Sequence, residues 1–334
     1  MLNFFYNGQE GRLRAFWRLL FQFVIYILGE VVLGSLVFLG FILGGGMELG
    51  GETTSRVVSS PAFLATGAVA SLVAVLVSVG IAGRFFDRRR PFSGFGLRPD
   101  REWWLDLGFG LFLGALLMTA IFLIELAAGW IEVTGTFETP GGGAFFPAVL
   151  APVTLFLCVG VYEELLSRGY QLKNMAEGLK YPGLGPKGAI VLAWVISSSL
   201  FGLLHLANPN ATLVSTVNIA FAGLLLGTGY ILTGRLGIPI GLHITWNFFQ
   251  GTVFGFPVSG MNDLGAKFIS IEQGGPPLFT GGAFGPEAGL LDIAATIVGS
   301  LLIWLWVRVR SGKATVEASI SEPPKGTARP ASEV

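Results

Sequence analysis

The chain has 334 residues, 52% of them hydrophobic and only 13% charged, with 49 glycines and a formal net charge of zero. Water-soluble domains carry roughly twice that share of charge, which excludes an ordinary soluble protein and indicates an integral membrane protein. No basic excess is available for nucleic acid, and the single cysteine, Cys158, excludes an internal disulfide and a cysteine-based zinc cluster.

Eight apolar stretches of near-spanning length follow one another at about 19–43, 61–83, 103–129, 144–162, 188–207, 211–233, 238–258 and 288–307. About 20 helical residues cross the hydrocarbon, so an all-α polytopic bundle of about eight transmembrane helices is expected. The first stretch follows Arg12, Arg14 and Arg18 but is too long for a signal peptide and is read as a retained helix. Alternating the loops between two sides leaves Arg56 and Lys267 as the only basic residues on one of them, which places both termini in the cytoplasm. Cys158, inside an apolar run, reads as a small buried side chain. Residues 170–187 are expected to carry the fourth helix past the membrane edge as an interfacial connector until "YPGLGP" breaks it. Residues 259–286 read as a Gly- and Pro-rich loop, a lid or an outer connection, and residues 313–334 as a disordered cytoplasmic tail behind a bundle of residues 1–312.

An ionisable group at membrane depth costs at least a few kcal/mol, so each one asks for a reason. Glu30, Asp106, Glu125 and Asp292 are isolated, and a structural role, near a helix end or in a hydrogen bond to a neighbouring helix, is favoured for them over catalysis. "GVYEELLSRGYQ" is different, because Glu163, Glu164 and Arg168 stand together where an uncharged run ends. Glu164 and Arg168 are four apart and pair on one helical face, whereas Glu163 is turned about 100° away and is free to face a cavity. The only two histidines also occur in pattern: Phe201 with His205, and His243 with Asn247, each pair four apart. A carboxylate, two imidazoles and a carboxamide supply a base for water, a group to orient it and two donors for an oxyanion.

These three segments carry a resemblance. "EELLSR", "FGLLH" and "HITWN" resemble the EExxxR, FxxxH and HxxxN motifs of the CPBP intramembrane proteases, which include the type II CAAX prenyl proteases and the Abi proteins linked to bacteriocin processing and immunity. The resemblance spans about residues 84–258. It implies an endopeptidase acting on a membrane-associated protein or peptide in a bacterial plasma membrane. Glu163 would be its base, His205 would help to activate water, His243 and Asn247 would form the oxyanion site, and Glu164, Arg168 and Phe201 would support them. The family has been described both as metal-dependent and as glutamate-dependent. Zinc would take Glu163, His205 and His243 and leave Glu164 as base, a poor choice beside Arg168, so metal-free hydrolysis is favoured. The rivals are a non-catalytic scaffold or immunity partner that keeps the same polar cluster and a proton-coupled transporter, which lacks repeat symmetry here.

Straight helices create one difficulty. His205 would lie about 24 Å along the fifth helix and His243 only about 8 Å into the seventh. Convergence of the two, with displaced helix ends, is the expectation.

Overall fold

A computed structural model describes residues 2–44, 52–139 and 142–324, the side chains of residues 2, 3 and 52 excepted. Among these residues, seven helices are long and apolar enough to cross a membrane: α1 (Ala15–Leu43), α2 (Pro61–Phe86), α3 (Arg101–Ala127), α4 (Phe145–Gly178), α5 (Gly185–Leu204, extended by a 3-10 turn at His205–Ala207), α6 (Leu213–Thr233) and α8 (Leu290–Ser311). The apolar stretch at 238–258 is the exception. It forms a shorter helix, α7 (Gly237–Phe248), which runs on into a π-helical turn at Phe249–Val253. Every residue from Gly237 to His243 is buried, so α7 is a core element wrapped by other helices.

Glycine permits that wrapping. A Cβ on Gly241 would lie 2.3 Å from the Leu107 carbonyl oxygen of α3, and one on Gly114 would lie 2.4 Å from that of Leu242. The backbones of α3 and α7 are therefore in contact, as small residues allow in membrane bundles. Gly241→Ala is expected to lower the melting temperature in detergent by several degrees and to reduce activity, because backbone rather than a flexible side chain must yield two residues from His243. A variant that melts like the wild type would contradict this packing.

Two strands, β1 (Ile131–Glu138) and β2 (Lys267–Gln273), pair antiparallel with a register irregularity between Val133 and Gly135. The segment read as loop or lid is thus partly a strand, tied to the chain after α3. Glu125 accepts from Gln273 Nε2 at 3.0 Å at the same end. Three of the four isolated carboxylates bond between elements as expected: Asp106 accepts from Arg235 Nε (2.7 Å) and Trp306 Nε1 (3.0 Å), and Glu30 from Ser71 Oγ (3.2 Å), beside the Glu125 bond. Asp292 departs from this pattern, since both of its oxygens are buried without a hydrogen-bond partner among the described residues.

At the end of the bundle that holds the N-terminal segment, charges are paired. Glu177 binds Arg12 (2.7 Å), Arg18 (2.9 Å) and Arg89, and Asp87 binds Arg18 (2.8 Å) and the Tyr170 hydroxyl (2.8 Å). Residues 170–178 are consequently buried at Leu172, Lys173, Asn174 and Ala176, and form a core layer where an interfacial connector was expected. The helix does break after Gly178, as "YPGLGP" requires.

The tail departs from expectation over residues 313–324. Glu317 N–H donates to Ile231 O at 2.8 Å, Lys173 Nζ donates to Ile320 O at 3.2 Å, and Ile320 is buried in the core. Ile320, with Val316 packed against the same core, docks the segment while the buried lysine offers its backbone a donor. Residues 325–334 of that expectation lie outside the described residues.

Candidate active site

The site begins where α4 changes pitch. Leu150–Glu164 is α-helical, and Leu165–Leu172 is π-helical, a departure that recurs at functional positions. Glu164 ends the regular part and is fully buried. Its Oε1 accepts from Arg168 Nη1 at 2.9 Å and meets His243 Nδ1 at 2.9 Å. The pair read from the i,i+4 spacing is present, and its second partner, His243, comes from α7, 79 residues away.

Arg168 is fully buried and joins three helices. Its Nη2 donates to Gly223 O of α6 at 3.0 Å, and its guanidinium lies 4.4 Å from the centre of the Phe201 ring of α5. Phe201 also stacks at a tilt on His205 (4.7 Å between centroids) and presents an edge to His243 (6.2 Å). One ring thus spaces both imidazoles from the cation beneath them.

The hydrogen bonds fix what each imidazole offers. His205 Nδ1 lies 2.7 Å from Phe201 O, a carbonyl that can only accept, so Nδ1 carries the proton and Nε2 faces outward as an acceptor. His243 gives Nδ1–H to the Glu164 carboxylate and keeps Nε2 for the site. Glu163 is the partly open member of the acidic pair, with 22% of its side chain exposed and Oε2 3.9 Å from His243 Nε2 without a hydrogen bond.

A cavity of about 40 Å³ is lined by Phe201, His205, His243, Asn247, Ser259 and Glu287 between apolar walls. That is room for about three waters at roughly 10–15 Å³ each. The structure brings His205, His243 and Asn247 into one cavity. Glu163, expected to line it, lies beside it instead and reaches it past His243 Nε2.

The two histidines converge as expected, with α5 and α7 starting within three residues of their expected positions and the α-helical part of α7 ending at Phe248, short of the expected 258. The start of α7 is itself roofed. Leu236 N–H donates to Gly96 O at 3.0 Å, and His243 is buried within the protein although it stands early in its helix.

Two cavity residues escaped the sequence reading. Ser259 and Glu287 come from the segment between α7 and α8, and the only signal was a lone carboxylate in the glycine-bounded "FGPEAG". Ser259 N–H donates to Glu287 Oε2 at 2.6 Å and its hydroxyl to Oε1 at 3.3 Å. Burial pushes the Glu287 carboxyl above the usual range.

A zinc ion would need three gathered donors and an open position. Among the described residues, no group of three or more His, Cys, Asp or Glu side chains is arranged to hold a metal ion. Of Glu163, His205 and His243, the two imidazoles line one cavity and Glu163 stands beside it with Oε2 3.9 Å from His243 Nε2.

Residues 145–249 match a family model described as type II CAAX prenyl endopeptidase Rce1-like. No curated protein and no solved structure matches the chain. The matched stretch holds Glu163, Glu164, Arg168, Phe201, His205, His243 and Asn247, and stops before Ser259 and Glu287. Through α4 to α7, the chain is thus similar to the Rce1-like type II CAAX prenyl endopeptidases.

Proposed function

We propose that this protein is an intramembrane endopeptidase that hydrolyses its peptide bond with water activated by Glu163 and His205. The observation that carries this reading is the shared cavity of His205, His243 and Asn247, with the unpaired Glu163 oxygen 3.9 Å from His243 Nε2. Glu163 takes the water proton while the lone pair at His205 Nε2 accepts the second O–H and aims the oxygen. The oxyanion then falls to Asn247 Nδ2 and to Nε2–H of a His243 imidazolium, whose other ring proton, on Nδ1, is held by Glu164. Glu164 and Arg168 hold His243 in that orientation.

The hydrolysis is read as glutamate-dependent, with both termini on the cytoplasmic side and a membrane-associated protein or peptide as substrate. CAAX-type processing is the substrate class that the family supplies. Purified protein in detergent should cleave a farnesylated CAAX peptide and keep that activity after exhaustive treatment with a zinc chelator. Loss restored by added zinc would defeat the glutamate reading, and no cleavage by untreated protein would favour a scaffold.

A further inference from the structure

Peptide hydrolysis needs an acid as well as a base, because the departing amine cannot leave as an anion. The polar groups that line the cavity leave one candidate. His205 presents an acceptor at Nε2, His243 has committed both nitrogens, Asn247 has no transferable proton, and the Ser259 hydroxyl is far too weak an acid. Glu287 remains.

We propose that Glu287, the carboxyl group that lines this cavity, donates the proton to the leaving amine. The inference rests on the reading of Glu163 as base. In the first step the water oxygen bonds to the carbonyl carbon while Glu163 takes its proton. In the second the C–N bond breaks, its electron pair stays on nitrogen, and nitrogen takes the proton from Glu287 Oε1. The products are a carboxylic acid and an amine. Glu163 returns its proton to solvent and Glu287 regains one, so one water is consumed and nothing else.

The geometry supports the division between the two oxygens. Oε2 is held by the Ser259 N–H at 2.6 Å, whereas Oε1 has the longer 3.3 Å contact to a rotatable hydroxyl and is free to carry the proton. Burial keeps the carboxyl protonated to a higher pH than usual, with Gln250, Ser259 and the His205 imidazole acting against it. Asp292, on the helix that follows, is the other carboxyl near Glu287.

The surrounding backbone is built to hold this side chain. Ser259 has φ +48° and Gly260 φ +83°, and a Cβ on Gly260 would lie 1.8 Å from Pro209 O. Asn208 Nδ2 donates to Ser259 O at 3.0 Å, which fastens the turn after His205 to the turn that carries Glu287's partner. A left-handed serine whose N–H is donated to a buried carboxylate is a fixed mount, so the 259–289 segment does not behave as a loose loop.

A pair of substrates tests the proposal. Wild type, Glu287→Gln and Glu163→Gln are assayed on a farnesylated CAAX peptide and on its analogue with sulfur in place of the scissile nitrogen, from which a thiolate departs without a proton. Glu287→Gln should lose about 100-fold or more on the amide and stay within a few-fold of wild type on the thioester. Glu163→Gln should lose both. Equal losses of Glu287→Gln on the two substrates, or no loss on the amide, would overturn the proton-donor role and leave Glu287 as the mount of Ser259. Should Glu287→Gln fail to fold, Glu287→Asp keeps an acid of shorter reach: a selective amide deficit supports the role and an equal deficit refutes it. A fully active Glu163→Gln would instead strike the base reading itself.

Discussion

Glu163→Gln should reduce peptide cleavage by on the order of 10³- to 10⁴-fold while leaving the melting temperature in detergent where it was. The substitution preserves shape and removes only the ability to take a proton. Nothing structural is lost with it, because Glu163 Oε2 has no hydrogen-bond partner and the side chain is 22% exposed. At about 1.4 kcal/mol per tenfold, the loss corresponds to roughly 4–5.5 kcal/mol of transition-state stabilisation. A base acts only on the reacting water, so kcat and kcat/KM should fall together with little change in KM. Its neighbour provides the contrast. Glu164→Gln breaks the charge in two 2.9 Å contacts and should cost stability as well as rate. Initial rates and thermal denaturation of the two variants, measured side by side, separate the roles; a Glu163→Gln protein that cleaves at the wild-type rate would move the base elsewhere, with Glu287 the next carboxyl to examine.

What could be read from the amino-acid order is local. The division of Glu163 from Glu164 follows from helical pitch alone, and the π-helical turn begins only after both residues, so it left that spacing intact. The pairing of His243 with Glu164 crosses 79 residues and follows from no periodicity. It rests on the close approach of α4 and α7, where a Cβ on Gly160 would lie 2.5 Å from the Ile244 side chain, and that glycine was visible but not its partner. Depth failed as a guide because it assumed that every helix starts at the membrane surface. Leu236, just before α7, bonds to Gly96 O, and a polar tail with few apolar residues looks disordered until its socket is known. Glu287 was hidden for the same reason: its partners, Ser259 and the cavity wall, are assembled by folding. The strand at Ile131–Glu138 went unread, because the partner that pairs with it, Lys267–Gln273, is brought to it only by folding.

Arg168→Met should destabilise the protein by about 3–5 kcal/mol and abolish cleavage, although Arg168 touches neither the cavity nor the proposed reacting atoms. Arg168 is fully buried, and its removal leaves the Glu164 carboxylate at zero exposure with one fewer compensating partner. The cost is the unpaired charge rather than lost packing, since methionine fills much of the same volume. Three contacts disappear together: the 2.9 Å bond to Glu164, the 3.0 Å bond to Gly223 O and the stack on Phe201 at 4.4 Å. The first orients His243 through Glu164, and the last positions the ring that spaces the two imidazoles. A double variant, Glu164→Gln with Arg168→Met, removes both charges and should regain much of the stability, but it should stay inactive because His243 Nδ1 loses its carboxylate. Arg168→Lys keeps the charge yet cannot reach Glu164 and Gly223 O at once, and should fall between the two. Chemical denaturation of the four proteins in detergent, run with the peptide assay, measures the coupling. If Arg168→Met melts within about 1 kcal/mol of wild type, the buried pair does not organise the site; if the double variant is no more stable than the single one, the cost arises from packing around Phe201 and not from the stranded carboxylate.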